Sequence, residues 1–222
     1  MTAQQHLSDI FDADRRLRSA EKELLGANEK SLVPVLSAAV SEAMKVEDEE
    51  EASMRLQRLA DLCAQVPGPK MADALIEILD SDLPQVRVAA AEALVDVAFE
   101  RYAEVARAVE RALEQRQEGH ALGELPWVIA EIAEPSAVPL IGRFLKLTDP
   151  TLVASAAEAL AALGDVEAIT LLEPLIDDRR AVPLDEYDGE ISATLGELVG
   201  EVIETLNAGD FEDEEDEEFE EN

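Results

Sequence analysis

Cysteine is all but absent from this sequence. Cys63 stands alone, so no internal disulfide can staple the chain, and the sequence suits a reducing compartment. A lone cysteine among Leu and Ala is expected to be a small buried hydrophobe. Histidine occurs only at His6 and His120, neither in a metal-ligand spacing. Cys-x-x-Cys pairs, glycine-rich phosphate loops and serine-nucleophile motifs are missing as well. No metal and no other cofactor is therefore expected. Carboxylates abound, yet an acid/base pair needs burial or a specific partner to shift its pKa, and sequence shows neither. The expectation is a protein that is not an enzyme. Long apolar runs are also lacking: nothing approaches the ~20 residues of a membrane span. The opening MTAQQHLSDIFDADRRLRS lacks the basic-then-apolar order of a signal peptide, which leads to an expected cytoplasmic location.

Positive charge is the other scarcity. Lys and Arg number 18 against 51 Asp and Glu, a formal charge of −33. Ten of the carboxylates fall in DFEDEEDEEFEEN, residues 210–222, and removing them still leaves −33 + 10 = −23. So negative a surface repels phosphate backbones and anionic lipid, which excludes direct nucleic-acid or membrane binding as expected functions and favours a protein partner with a basic surface. Aromatics make up only 4%, but hydrophobic residues reach 47% and are mostly Ala and Leu, side chains suited to close helix packing.

What the sequence does have is internal repetition. AAEAL at 90–94 recurs at 156–160. Before the first copy stands ALIEILDSDLPQV (74–86), and before the second PLIGRFLKLTDPTLV (139–153). Each reads as an apolar helix, a turn with Asp and Pro, and an Ala-rich helix. AITLLEPLIDD (168–178) overlays AVPLIGRFLKL (137–147) after 31 residues, and RLADL (58–62) overlays AAEAL (90–94) after 32. A period in the low thirties with two helices per unit predicts an all-α solenoid, a stack of antiparallel helical hairpins.

Apolar spacing and breakers predict helices over 3–25, 31–46, 49–65, 69–80, 85–99, 102–117, 121–133, 135–147, 151–163, 166–177 and 190–207, with no strand required. Pro67, Pro84, Pro135 and Pro150 fall between helices, and Gly164 before Asp165 reads as a helix exit joined to the next N-cap. Residues 1–30 are expected to cap the amino-terminal end, through contacts of Ile10, Leu17, Leu24 and Leu25. Residues 31–209 form the solenoid, closed by a final helix whose Ala193, Gly196 and Gly200 allow close approach. The segment 210–222 cannot bury enough apolar surface to fold and is expected to be disordered.

The segments 69–94, 135–165 and 166–178 resemble the HEAT-repeat superfamily, in particular its bacterial lyase-like branch. The pattern places Pro in the first helix (Pro139, Pro174), Asp in the turn (Asp82, Asp149) and Val-Arg at the start of the second helix (Val86, Arg87), although Ala154 replaces the arginine after Val153. The resemblance implies a stacked-hairpin fold and leaves function open among scaffolds, adaptors, inhibitors and a few enzymes. Its di-iron hydroxylases use His-Glu pairs, whereas Ala121 follows His120, and no residue set carries over a bilin-lyase activity.

In the family's arrangement the second helices line the concave face. That places Glu92, Glu158, Asp96, Glu124 and Glu131 on a candidate partner-binding surface, with Trp127 as an aromatic anchor unless it is buried against Phe99 or Phe144. The long loop DDRRAVPLDEYDG adds Arg179, Arg180 and Tyr187, the arginines alternatively neutralising Asp177 and Asp178. Phe211 and Phe219 bracket the acidic run and could anchor it on a basic partner. The leading expectation is a non-enzymatic adaptor or scaffold with an acidic concave surface. The alternatives are an inhibitor or immunity-type nucleic-acid mimic that blocks a basic target, and a small-molecule lyase.

Overall fold

Helices begin in this chain where a side chain or a proline removes an unpaired N–H. Asn28, Asp48, Asp149 and Asp165 each accept a backbone N–H of the following turn, and Pro69, Pro84 and Pro150 occupy first helical positions. Gly164 ends a helix with a left-handed φ of 73°, directly before the Asp165 cap. The computed structural model describes residues 2–116, 118–132, 134–184 and 191–220, with Leu184, Ile191 and residues 209–220 described by backbone alone.

Five hairpins stack among the described residues. The first pairs α2 (Glu29–Ala43) with α3 (Glu49–Ala64), and the second pairs α4 (Pro69–Leu79) with the opening half of α5 (Pro84–Gln115). Arg101, at φ −141° and ψ 49°, breaks α5 in two, so its closing half serves as first helix to α6 (His120–Ala130). The Arg101 guanidinium also donates to the Ala64 carbonyl at the end of α3, over 2.9 Å. The fourth unit joins α7 (Ala137–Ile141) and a 3-10 turn, Phe144–Lys146, to α8 (Pro150–Leu163). In the last, short 3-10 turns flank α9 (Ile169–Leu172) and the second helix is α10 (Leu195–Glu220). Second helices pack on one another in succession, and a continuous apolar core from Leu32 to Leu206 runs through the stack. The protein is an all-α solenoid of HEAT-like hairpins. No helix of the described residues is long and apolar enough to cross a membrane.

Several expectations need correction. The helices expected over 135–147 and 166–177 are fragmented, because Pro139 and Pro174 cannot complete the intrahelical ladder and Gly142 weakens it further. A strand pair does form: β1 (Ala181–Leu184) lies antiparallel to β2 (Ile191–Thr194), with Val182 opposite Ala193. Ala193 is thus a strand residue, and α10 starts at Leu195 rather than at 190. Gly196 does permit close approach, since a Cβ there would collide with the Ile176 carbonyl, but at Gly200 a Cβ would meet nothing within 4 Å.

At the amino terminus, α1 (Ala3–Leu25) buries none of its residues. Ile10 and Leu17 make no capping contact and are 62% and 38% exposed; only Leu24 and Leu25 lie against the core. The helix leaves the end of the stack instead of closing it. At the other end the backbone of α10 stays helical to Glu220, through the segment expected to be disordered. Glutamate has good intrinsic helix propensity, although like charges a turn apart work against it.

Candidate functional site

Arginine is spent on holding successive hairpins together. Arg111 on the closing half of α5 donates to Asp73 of α4 at 2.6 Å, and Arg143 donates to Glu110 at 2.7 Å. Asp80, at the end of α4, accepts the Ala121 N–H at 3.0 Å and pairs with Arg116. Arg87 donates to the Ser81 carbonyl at 3.0 Å and lies 3.4 Å from Glu124. These contacts link residues 33 to 41 apart, one hairpin to the next, except the local bond from Arg87 to Ser81.

Beyond Arg87 the second helices are left with one sign of charge. After Arg87, the remainder of the first half of α5, all of α6, all of α8 and all of α10 contain no Lys or Arg. Later bases stand on the first limbs of the hairpins, as Arg101, Arg107, Arg111, Arg143 and Lys146 do, or in connections, as Arg116, Arg179 and Arg180 do. Glu92, Asp96, Glu131 and Glu158 are all exposed. Glu124 is half-buried and committed to Arg87, so it is a weaker member of the set. Asp61 of α3 joins Glu92 and Asp96 around a cleft of about 370 Å³ that Arg58 of the same helix and Glu21 also line. Repetition of AAEAL does not point to Asp61, but the absence of bases from second helices beyond Arg87 is there to be read.

Trp127 interrupts this acidic face. It is 41% exposed and not buried against Phe99 or Phe144: Phe144 is wholly buried, whereas Phe99 is itself 67% exposed. The indole N–H donates to Ser155 Oγ at 3.0 Å, and Ser155 Oγ donates to the Gly123 carbonyl at 2.7 Å. An open cleft of about 350 Å³ beside the ring is lined by Gly119, His120, Gly123, Glu124, Thr151, Leu152 and Ser155. An indole held this way keeps one apolar face available at little entropic cost, the property that makes tryptophan effective at interfaces. Phe99, beside Asp96, Glu100 and Arg101, adds a second exposed aromatic at a position where the sequence suggests a buried one.

Of the loop residues, Arg180 serves the fold. It grips Asp178 through both carboxylate oxygens and donates to the Thr148 carbonyl at 2.8 Å and the Leu147 carbonyl at 3.3 Å. These hydrogen bonds hold the Asp178 carboxyl below the usual carboxylate range. Arg179 is exposed. Tyr187 lies outside the described residues, as do the side chains of Phe211 and Phe219. Cys63 is fully buried, and burial pushes its thiol up to about 12. Among the described residues no three His, Cys, Asp or Glu side chains are grouped to hold a metal.

Residues 119–183 match the family model of HEAT repeats, which spans α6 to β1. No curated protein matches the chain. Solved structures of two engineered proteins from the Northeast Structural Genomics Consortium are similar to it. The first is 19% identical at a TM-score of 0.36, covering 86% of this chain and 88% of the other. The second is 18% identical at a TM-score of 0.34, covering 83% of this chain and 51% of the other.

Proposed function

We propose that this solenoid of HEAT-like hairpins is a non-enzymatic adaptor that grips a basic protein partner along the face of its second helices. One observation carries the reading: beyond Arg87 those helices hold no Lys or Arg, while Glu92, Asp96, Glu131 and Glu158 are exposed on them. A face of one sign raises the encounter rate with an oppositely charged partner and rejects like-charged ones. Trp127 supplies the apolar and cation-binding contact that a purely ionic surface lacks, since an indole face attracts Lys or Arg side chains. The acidic segment from residue 210 extends the same sign of charge and serves as a second contact. Affinity capture from the native cell tests this reading. The recovered partner should be basic on its contacting surface and should be lost when Trp127→Ala is combined with Glu158→Gln. An acidic or neutral partner, or one unaffected by both changes, contradicts it.

A further inference from the structure

Four joints connect the five hairpins, and three of them hold a residue that breaks helices. Pro67 and Gly68 lie between α3 and α4, Pro135 between α6 and α7, and Gly164 directly after α8. The joint inside α5 has no such residue. From Gln85 to Glu118 the sequence contains neither Gly nor Pro, and within α5 only Arg101 leaves the helical conformation. Ala98, Glu100, Ala103 and Glu104 around it all favour a helix. A break without Pro or Gly needs another cause, and here the cause is tertiary. The Arg101 guanidinium donates to the Ala64 carbonyl at 2.9 Å, and one turn later the Glu104 carboxylate accepts the Gly68 N–H at 3.0 Å. Both contacts tie this joint to the preceding one.

The break turns the chain back. Glu104, Arg111 and Arg116 meet Gly68, Asp73 and Asp80 in the same order along the chain, so the closing half of α5 runs parallel to α4, whereas the opening half is its hairpin partner. With Arg101 helical, α5 would be one rod of 32 residues, about 48 Å long, and would carry the last three hairpins away from the first two. Hydrogen bonds forfeited at the break would then form. The faces so uncovered are the ones that cover each other in the single chain. A second straightened copy presents the same two faces, and across copies Arg111 again meets Asp73 and the Ala121 N–H again meets Asp80. The geometry points to a joint at Arg101 through which two copies of this chain exchange their last three hairpins, giving a domain-swapped dimer. Only contacts at the joint itself, Arg101 to Ala64 and Glu104 to Gly68, belong to the bent chain alone. They hold the monomer, and two straightened helices favour the dimer. A charge of −33 on each copy opposes the dimer, and salt screens that opposition.

Sedimentation equilibrium on the full chain, after warm incubation that lets the hairpins separate, measures the exchange. Arg101→Ala removes the donor to Ala64 and places the strongest helix former at the joint, so it should dimerise about tenfold or more tightly than wild type. Arg101→Gly loses the same donor but disfavours the straight helix about fivefold at each of two joints, so it should dimerise roughly twentyfold less tightly than Arg101→Ala. Added salt should tighten the Arg101→Ala dimer. Adding D73C/R111C tells exchange from simple association, because a short bismaleimide can join the two thiols. Exchanged chains should be linked to each other and run as dimers under denaturing conditions, while Cys63 is buried and does not react. Should Arg101→Ala fail to fold, Glu104→Ala, which removes the acceptor of the Gly68 N–H, carries the same test. A folded joint variant that stays monomeric at concentrations up to about 100 µM overturns the inference. So do equal dimerisation of the Ala and Gly variants and a dimer whose cross-links stay within each chain.

Discussion

Trp127 and Ser155 join the third and fourth hairpins through a single hydrogen bond, indole N–H to hydroxyl over 3.0 Å. Because Ser155 spends its own proton on the Gly123 carbonyl at 2.7 Å, it can only accept from the indole, so the direction of the contact is fixed. The ring is thereby held open to solvent on an acidic face.

Fluorescence of the chain reports on this site alone, since Trp127 is the single tryptophan. Acrylamide should quench it readily in the free protein, and partner binding should protect it and shift the emission to the blue. Ser155→Ala frees the ring and should weaken partner affinity several-fold while costing about 1 kcal/mol of stability or less. Quenching that does not change in the complex would place the partner elsewhere.

Arg180→Ala should lower stability by about 1–3 kcal/mol, because the Thr148 and Leu147 carbonyls and Asp178 lose their donor together. For a chain of this size that is about 2–4 °C of melting temperature per kcal/mol. The Asp178 carboxyl lies below its ordinary 3.8, so its share of the stability is full above that value and is lost as pH falls through the lowered one. Thermal scans should show the difference between variant and wild type at neutral pH and a narrower gap in acid.

Two glycine substitutions should move stability in opposite directions. Gly119 has φ +118° and a Cβ there would stand 2.5 Å from Asp80 Oδ1, so Gly119→Ala strains the backbone and displaces the carboxylate that caps Ala121. A loss of about 1–3 kcal/mol is expected. Gly200 sits inside α10, where an added Cβ would have nothing within 4 Å, and Gly200→Ala should gain up to about 1 kcal/mol. Chemical denaturation of the two variants checks both signs.

Cys63 should be inert in the folded protein. Its thiol is fully buried and raised to about 12, so the reactive thiolate is scarce at neutral pH and out of reach. A thiol-specific reagent should react only at the rate of unfolding. Rapid labelling under native conditions would show the first hairpin to be open.

Repetition makes the hairpins legible in the sequence, because AAEAL and the Asp-Pro turns recur with the period of the stack itself. The capping chemistry at Asp149, Gly164 and Asp165 is equally plain, since each acts on neighbours in sequence. What cannot be read are relations set by the third dimension. Ile10 and Leu17 have the spacing of a packed helix, yet nothing local states whether the body lies on that side. The tip of the final hairpin lacks the alternation that marks a strand, and Pro183 argues against one, so β1 and β2 are hidden from a reading of the residues alone. Trp127 looks like core because tryptophan is usually well buried; its exposure follows from the hydroxyl that Ser155 presents one hairpin later.

The acidic face of the second helices is tested most directly by comparing two charge-matched variants against the captured partner in stopped-flow association. One replaces Glu92, Glu131 and Glu158 by Gln; the other replaces Glu42, Glu114 and Glu173, exposed acids of first helices. Both remove three charges, and the substitutions differ little in helix propensity. The first variant should associate about tenfold more slowly, with a shallower dependence on salt, while the second should stay close to wild type. Equal slowing in the two would mean that overall charge alone drives association, and the second-helix face would no longer stand as the binding surface.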